Sequence, residues 1–343
     1  MELLERHRRF WSRERVDKAL VGVSRQGVFF LEPFIALEIK DGILTPESIP
    51  DPGKFIQIYY DKVIGDDPLD GDIFWVAKPP RALPWMEAIA GCQLMLSTSS
   101  GTISPLVPDD FQGFLDLDSI LVNNPWLDLY IDFTDKLSDY YRDQIPMGQS
   151  LLRGPSDMMT ALLGYSRFCV DSIEQTRMMK ELAFQCATLW IEVLKLQYEH
   201  LHLYKNGYLA SPYGLWSPKP VAAFQEDAVG FLSPAIYKEI FYECDELISN
   251  SFDYSILHLH SAALQMLVNV LEISNLRGVN IVIDSKGPNI GSLIPVFQKI
   301  QNAKKALHVQ GIFTDRDMMK LEEALSPNGL CLFAIMEELN EFT

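Results

Sequence analysis

Ser255-Ile256-Leu257-His258-Leu259-His260 opens the part of the chain that decides the fold. This apolar run reads as a strand, and a helical pattern over Leu264–Glu272 follows it. Val279–Ile283 is the next strand-like run, followed by a helix over Ile290–Gln301. Ala306–Gln310 leads into a helix over Asp315–Ala324, and Leu330–Ala334 ends the series. Strand and helix alternate every ~25–30 residues, the rhythm of parallel βα units.

Working back towards the N-terminus, four more strand-like runs come into view: Ala19–Ser24, Leu94–Thr98, Gln149–Arg153 and Val221–Gln225. The eight runs lie near Leu20, Leu94, Leu151, Val221, Ile256, Ile281, Leu307 and Leu332. Eight parallel strands predict an α/β chain folded as a (β/α)8 TIM barrel. A doubly wound open sheet is the other arrangement. No Gly-x-Gly-x-x-Gly follows any strand, so a dinucleotide fold has little support. The expected organisation is a single domain over residues 1–343, with an N-terminal helical extension over Glu2–Arg15. Helical patterns also cover Gly53–Ile64, Pro84–Cys92, Asn124–Gln144, Ser156–Leu163, Glu174–Leu201 and Ser233–Ile248. Ser156 with Asp157, and Ser233 before Pro234, read as helix N-caps.

The chain of 343 residues carries a net charge of −17. That argues against nucleic acid and against an anionic membrane surface, both of which need clustered Lys and Arg. None of the five cysteines forms a Cys-x-x-Cys pair, which fits a reducing cytoplasm. Met1–Arg15 is charged and has no apolar core, so no signal peptide is expected. No stretch reaches the ~20 apolar residues of a membrane helix. A soluble, cytoplasmic protein acting on a small molecule is the expectation.

Side chains alternate along a strand, so His258 and His260 share a face with Ile256, opposite Leu257 and Leu259. Two imidazoles on one face at a strand end suit a metal or an acidic substrate. Active sites of barrels gather at the C-terminal ends of the strands. His258 and His260 are therefore the candidate metal ligands. Asp284, Glu226 and Asp227 are the candidate catalytic acids. Arg25, Gln26, Arg153 and Gln225 are candidate substrate contacts at strand ends, and Gln310 belongs to the same level. Tyr213 and Trp216 are candidate pocket walls. Each also has a plainer reading: a hydrogen-bonded histidine, a loop-capping Asp, a solvated charge, a packed aromatic. His7, His200, His202 and His308 read as surface or structural, and Cys92 and Cys331 as small buried hydrophobes.

Several motifs resemble the uroporphyrinogen decarboxylase superfamily of (β/α)8 barrels. They are Arg153-Gly154-Pro155-Ser156 leading to Leu163-Gly164, Glu226-Asp227 followed by Leu232-Ser233-Pro234, and His258-Leu259-His260. Pro84-Trp85-Met86-Glu87 to Gly91-Cys92 resembles a segment of the methyltransferase-like branch. The resemblance covers most of the chain at low specificity. The decarboxylase branch carries Arg-Gln-Ala-Gly-Arg-Tyr after the first strand. Here Arg25-Gln26 keeps the first two residues and the second Arg is absent. Leu96-Ser97-Thr98-Ser99 lacks the acid of that branch's Phe-Ser-Asp. The methyltransferase branch holds zinc with His-x-Cys after the fifth strand and a Cys past the eighth. His258 matches that histidine, His260 replaces the first cysteine, and the last falls near Met336, beside Glu337 and Glu338. The resemblance thus implies a methyltransferase moving a methyl group between a corrinoid protein, or a small methylated compound, and an acceptor. Zinc or another divalent metal, a corrinoid on a partner protein, and a homodimer come with it. A lyase acting on a carboxylated tetrapyrrole and a non-catalytic binding barrel are the alternatives.

Overall fold

A computed structural model describes residues 2–24, 39–56 and 70–335. In chain order the strands are β1 (Leu20–Ser24), β2 (Gly42–Leu44), β3 (Asp70–Gly71), β4 (Gln93–Ser97), β5 (Thr102–Leu106) and β6 (Tyr208–Ala210). They continue as β7 (Leu215–Ser217), β8 (Val221–Gln225), β9 (Tyr254–His260), β10 (Gly278–Val282), β11 (Ala306–Gly311) and β12 (Leu330–Ile335). The main sheet runs β3-β1-β12-β11-β10-β9-β8. Six of its strands are parallel, and the two-residue β3 adds antiparallel to β1.

From β8 to β12 each strand lies beside its predecessor in the chain, with helices between them. These include Tyr242–Asn250, Leu267–Glu272, Ile290–Asn302 and Asp315–Ala324. The βα rhythm of the C-terminal half is therefore borne out. β1 then pairs with β12, Leu20 level with Cys331 and Val21 with Leu332. The early and late parts of the chain thus meet within the sheet, one strand in from its β3 edge.

The sheet faces have different partners. Phe224, Leu257, Leu259, Ile281, Val309 and Leu332 pack in one cluster with the helices, against side chains such as Trp190 and Phe297. Ile256, Val221, Ala223 and Cys331 turn the other way, towards Phe10, Trp11, Tyr213 and Leu215. These last come from the Leu3–Ser12 helix and the β6–β7 hairpin. Fully burying each such aliphatic or aromatic side chain contributes about 1.5–3 kcal/mol.

Two of the eight expected strands are not in this sheet, which is not closed among the described residues. The run at Leu94 becomes β4 and pairs antiparallel with β2 and β5 in a separate sheet. Its alternation explains this: Leu94 and Leu96 are buried while Gln93, Met95 and Ser97 reach solvent in part or fully. Strands of a parallel sheet covered on both faces are apolar throughout. The run at Leu151 forms no strand. The Gln149 side chain takes over ladder bonds, donating from Nε2 to the Ala223 carbonyl at 2.6 Å and accepting from the Ala223 N–H at 3.0 Å. Ser150 Oγ donates to the Pro79 carbonyl. A single parallel bridge joins Ala77 to Met147.

Helix boundaries shift in three places. The long pattern over Glu174–Leu201 becomes a helix over Thr176–Glu199, which Gln175 separates from a further helix over Tyr165–Glu174. The Ser233–Ile248 pattern divides at Phe241, with Ser233 capping its first part through Ile236 N–H. The Pro155–Leu163 helix has Gly154, not Ser156 or Asp157, at its N-cap. The two polar residues fall inside its first turn, where their backbone N–H groups need acceptors.

Candidate functional site: a histidine pair at the end of one strand

β9 carries His258 and His260 on the side of Ile256, as the two-residue period requires. The rings meet edge to face, with centroids 4.9 Å apart. Register brings Gln225 of β8, His258, Asn280 of β10 and His308 of β11 to one level across four strands. Just past Gln225 the chain turns, and Asp227 folds over the histidines.

The Asp227 carboxylate is held on one side, its Oδ2 accepting from Gln225 Nε2 at 2.9 Å. Its Oδ1 stands 3.7 Å from His258 Nε2 and 3.8 Å from His260 Nε2, and it is buried without a hydrogen-bond partner. The three ligand atoms lie within 4.8 Å of one another. Each histidine is gripped at its other nitrogen. His258 Nδ1 donates to Asn280 Oδ1, and His260 Nδ1 donates to Asp284 Oδ1 at 2.6 Å. With Nδ1 so engaged, each Nε2 is turned towards Asp227 and, in a neutral ring, carries the lone pair. Burial holds the His258 pKa below the usual imidazole value, against the pull of Asp227 and the Asn280 bond, so the ring is neutral at pH 7.

This donor set fits a divalent cation. Ligands around a four-coordinate ion stand about 3.4 Å apart, and metal-binding imidazoles typically anchor their second nitrogen on an oxygen. His258, His260 and Asp227 would hold the ion, with Asn280 and Asp284 behind them. Two nitrogens and a carboxylate suit zinc among several first-row metals. The side chain of His260 is 39% exposed and that of His258 13%, so the site opens to solvent on the His260 side.

A second carboxylate borders the cluster. Asp157 accepts from the Ala228 N–H at 3.2 Å and from Gln225 Nε2 at 3.3 Å. Burial, then the nearby Asp227, push its pKa up to about 8, so it holds a proton at neutral pH. Arg153 is already engaged, its Nη1 2.9 Å from Oε1 of the buried Glu87. Its charge also faces Asp157 and Asp227.

The expected residues separate into groups. Asp227, His258, His260, Asp284 and Gln225 come together, with Arg153 alongside. Gln310 lies one level beyond His308, beside Val282 and Phe333. Tyr213 is buried with its ring 4.9 Å from that of His308. Glu226 points to the opposite side of β8. Its Oε2 accepts from the Ser156 N–H at 2.8 Å, and its carboxyl meets that of Asp245, which also accepts from the Tyr237 hydroxyl. Trp216 is fully buried away from the histidines, with Arg8 over its ring and its indole N–H on the Tyr204 carbonyl. Arg25, Gln26, Met336, Glu337 and Glu338 lie outside the described residues.

Cys92 and Cys331 are buried, as expected. His200 and His202 pair with Asp135 and Asp139, while His7 is buried and bonded to the Asp72 carbonyl. The sequence reading missed Asn280 and Asp157, and it set His308 aside. A signal existed for Asn280, a lone polar residue between Val279 and Ile281 in an apolar strand. His308 likewise interrupts Leu307 and Val309, and its place level with Asn280 becomes visible only through register. Among the described residues, no helix is long and apolar enough to cross a membrane. No protein-family model matches this chain, and no curated protein shows significant similarity to it.

Proposed function

We propose that this chain is a divalent-metal enzyme on a (β/α)8 barrel, of the methyltransferase-like branch of uroporphyrinogen decarboxylase relatives. The barrel reading is supported by the consecutive strand order from β8 to β12 with β1 beside β12, the order in which a barrel passes from its last strand back to its first. The observation that carries the metal reading is the convergence of His258 Nε2, His260 Nε2 and the orphaned Asp227 Oδ1. Zinc, or a similar ion, supplies Lewis acidity that lowers the pKa of a thiol or other nucleophile at the site.

The chain's own groups do the rest. Asn280 and Asp284 keep the imidazole lone pairs turned inward. Asp157 holds a proton beside Asp227, within a network that keeps Asp227 aimed at the histidines. Gln225 ties the two carboxylates together. Arg153 balances the negative charge of Glu87 and Asp227. The substrate is a small molecule reaching the site from the His260 side, and the methyl group comes from a small methylated compound or from a corrinoid on a partner protein. A homodimer is part of this reading.

Metal analysis of protein purified without added zinc tests it. About one metal per chain is expected, lost in the His258→Ala/His260→Ala double variant. Methyl transfer from methylcobalamin to a small thiol is the matching activity assay. A metal-free protein that neither takes up zinc nor moves the methyl group would sink the reading.

A further inference from the structure

Asn280 is fully buried between two imidazoles on the strands to either side of it. Its Oδ1 meets His258 Nδ1, and its Nδ2 lies 2.7 Å from His308 Nδ1. A primary amide has one end that only accepts and one that only donates. The two rings must therefore carry opposite tautomers. The direction of the amide is set by a further contact, 3.4 Å from Nδ2 to the His308 backbone carbonyl. Only the amide nitrogen can face both that carbonyl and a bare imidazole nitrogen; the amide oxygen would meet a second acceptor there.

We infer that Asn280, oriented by His308, is a positioning residue that fixes His258 with its proton on Nδ1 and its Nε2 bare towards Asp227. His308 is the anchor. It is fully buried, its ring rests against Tyr213, and its Nε2 has no hydrogen-bond partner among the described residues. Accepting through Nδ1 leaves the His308 Nε2–H without an acceptor, so the contact from Asn280 Nδ2 to the His308 carbonyl is what sets the direction. Reversing the amide would put the His258 proton on Nε2, where it would close the lone pair facing Asp227. The consequence for metal binding rests on the proposed function; the tautomers themselves do not.

Protein labelled with nitrogen-15 in its six histidines, free of metal and held at pH 7.5, gives the direct readout by long-range proton–nitrogen correlation. The wild type should show His258 protonated at Nδ1 and His308 at Nε2. Asn280→Asp offers only acceptors, so His258 should keep its tautomer while His308 switches to Nδ1–H. Asn280→Leu should release His258 into a mixture. Titration with cobalt alone, read by its visible absorption, should show affinity weakened about 10–100-fold in Asn280→Leu and largely kept in Asn280→Asp. A purely space-filling Asn280 would give neither the His308 switch nor the difference between variants. The inference is overturned by His258 protonated at Nε2 in the wild type, by an unchanged His258 in Asn280→Leu, or by an unchanged His308 in Asn280→Asp. Wild-type protein that shows these tautomers but binds no cobalt would support the positioning and overturn the metal function.

Discussion

His260 and Asp284, on the ends of neighbouring strands, are joined by a 2.6 Å bond from Nδ1 to Oδ1. The other oxygen of Asp284 accepts from the Ser261 hydroxyl at 3.0 Å and the Ala262 N–H at 2.9 Å. One carboxylate thus aims a ring and ties the loop after β9 to the loop after β10. Burial works against its ionisation, but the bonds from His260, Ala262 and Ser261 outweigh it and hold the carboxyl below its usual range.

Asp284→Ala should therefore weaken cobalt or zinc binding about 10–100-fold, and Asp284→Asn less, since an amide oxygen still accepts from His260. Isothermal titration reads the difference. The sign with pH follows from the lowered pKa. The carboxylate's stabilising effect is complete above the ordinary Asp range and is lost as pH falls through the lower folded value. The stability gap between wild type and Asp284→Asn should shrink across that acidic window. A gap that instead widened there would contradict the assignment.

Asp227 and Glu226 are adjacent in sequence and serve opposite faces of β8. Asp227→Ala removes the third ligand and should lower cobalt affinity at least ~10-fold, because two imidazoles alone hold the ion poorly. Glu226→Gln keeps an acceptor for the Ser156 N–H and touches none of the three ligand atoms. Its cobalt affinity should match the wild type. Equal losses in both variants would mean that Glu226 belongs to the site after all.

The difference between these two neighbours shows what was legible in the sequence. Apolar runs and their spacing located β1 and β8 to β12, because strands covered on both faces leave an unbroken hydrophobic signature. Alternation placed His258 and His260 on one face. Composition could not separate the run at Leu94, which is equally apolar at two positions but half-exposed between them. Nor could it foresee that the Gln149 side chain would replace backbone bonds beside β8. Which of Glu226 and Asp227 turns towards the histidines depends on the bend after Gln225, and no pattern encodes it. Asn280 and His308 gain meaning only from register, which pairs residues far apart in the chain.

The Glu226–Asp245 pair sits where water does not reach, with Glu226 1% and Asp245 0% exposed. Burial raises the Asp245 pKa to about 7, against the bonds from Tyr237 and Glu226. Burial, then Asp245, raises that of Glu226 as well. A carboxyl protonated in the fold and ionised in the unfolded chain stabilises below the ordinary carboxylate range, and that stability is lost as pH rises towards its folded value. Asp245→Asn supplies a permanent donor to Glu226 and an acceptor for the Tyr237 hydroxyl. It should match the wild type near pH 4 and exceed it by about 4 kcal/mol at pH 8 in urea unfolding, since each pKa unit of the rise from the ordinary Asp value to about 7 is worth about 1.4 kcal/mol. A variant less stable than wild type at pH 8 would show that the pair does not share a proton.

Gly154 sets how closely the Pro155–Leu163 helix approaches β8. A β-carbon there would lie 2.0 Å from the Gln225 carbonyl oxygen and 2.9 Å from Glu226 Oε1. The first of these is backbone and cannot swing aside, so the helix or the strand end must move. Gly154→Ala should destabilise the protein by about 1–3 kcal/mol, the usual range for overpacking. The shift falls on Gln225 to Asp227, so the folded variant should also bind cobalt more weakly. Gly291→Ala is the matched control: it lies in the first turn of the Ile290–Asn302 helix, and only Asn289 Oδ1 comes near, at 3.2 Å. It should leave cobalt affinity unchanged and hold or raise the melting temperature, because alanine favours helix over glycine. Thermal melts and cobalt titrations of the two variants side by side check the contact. Wild-type values for both measurements in Gly154→Ala would show that helix and strand are not packed as closely as this.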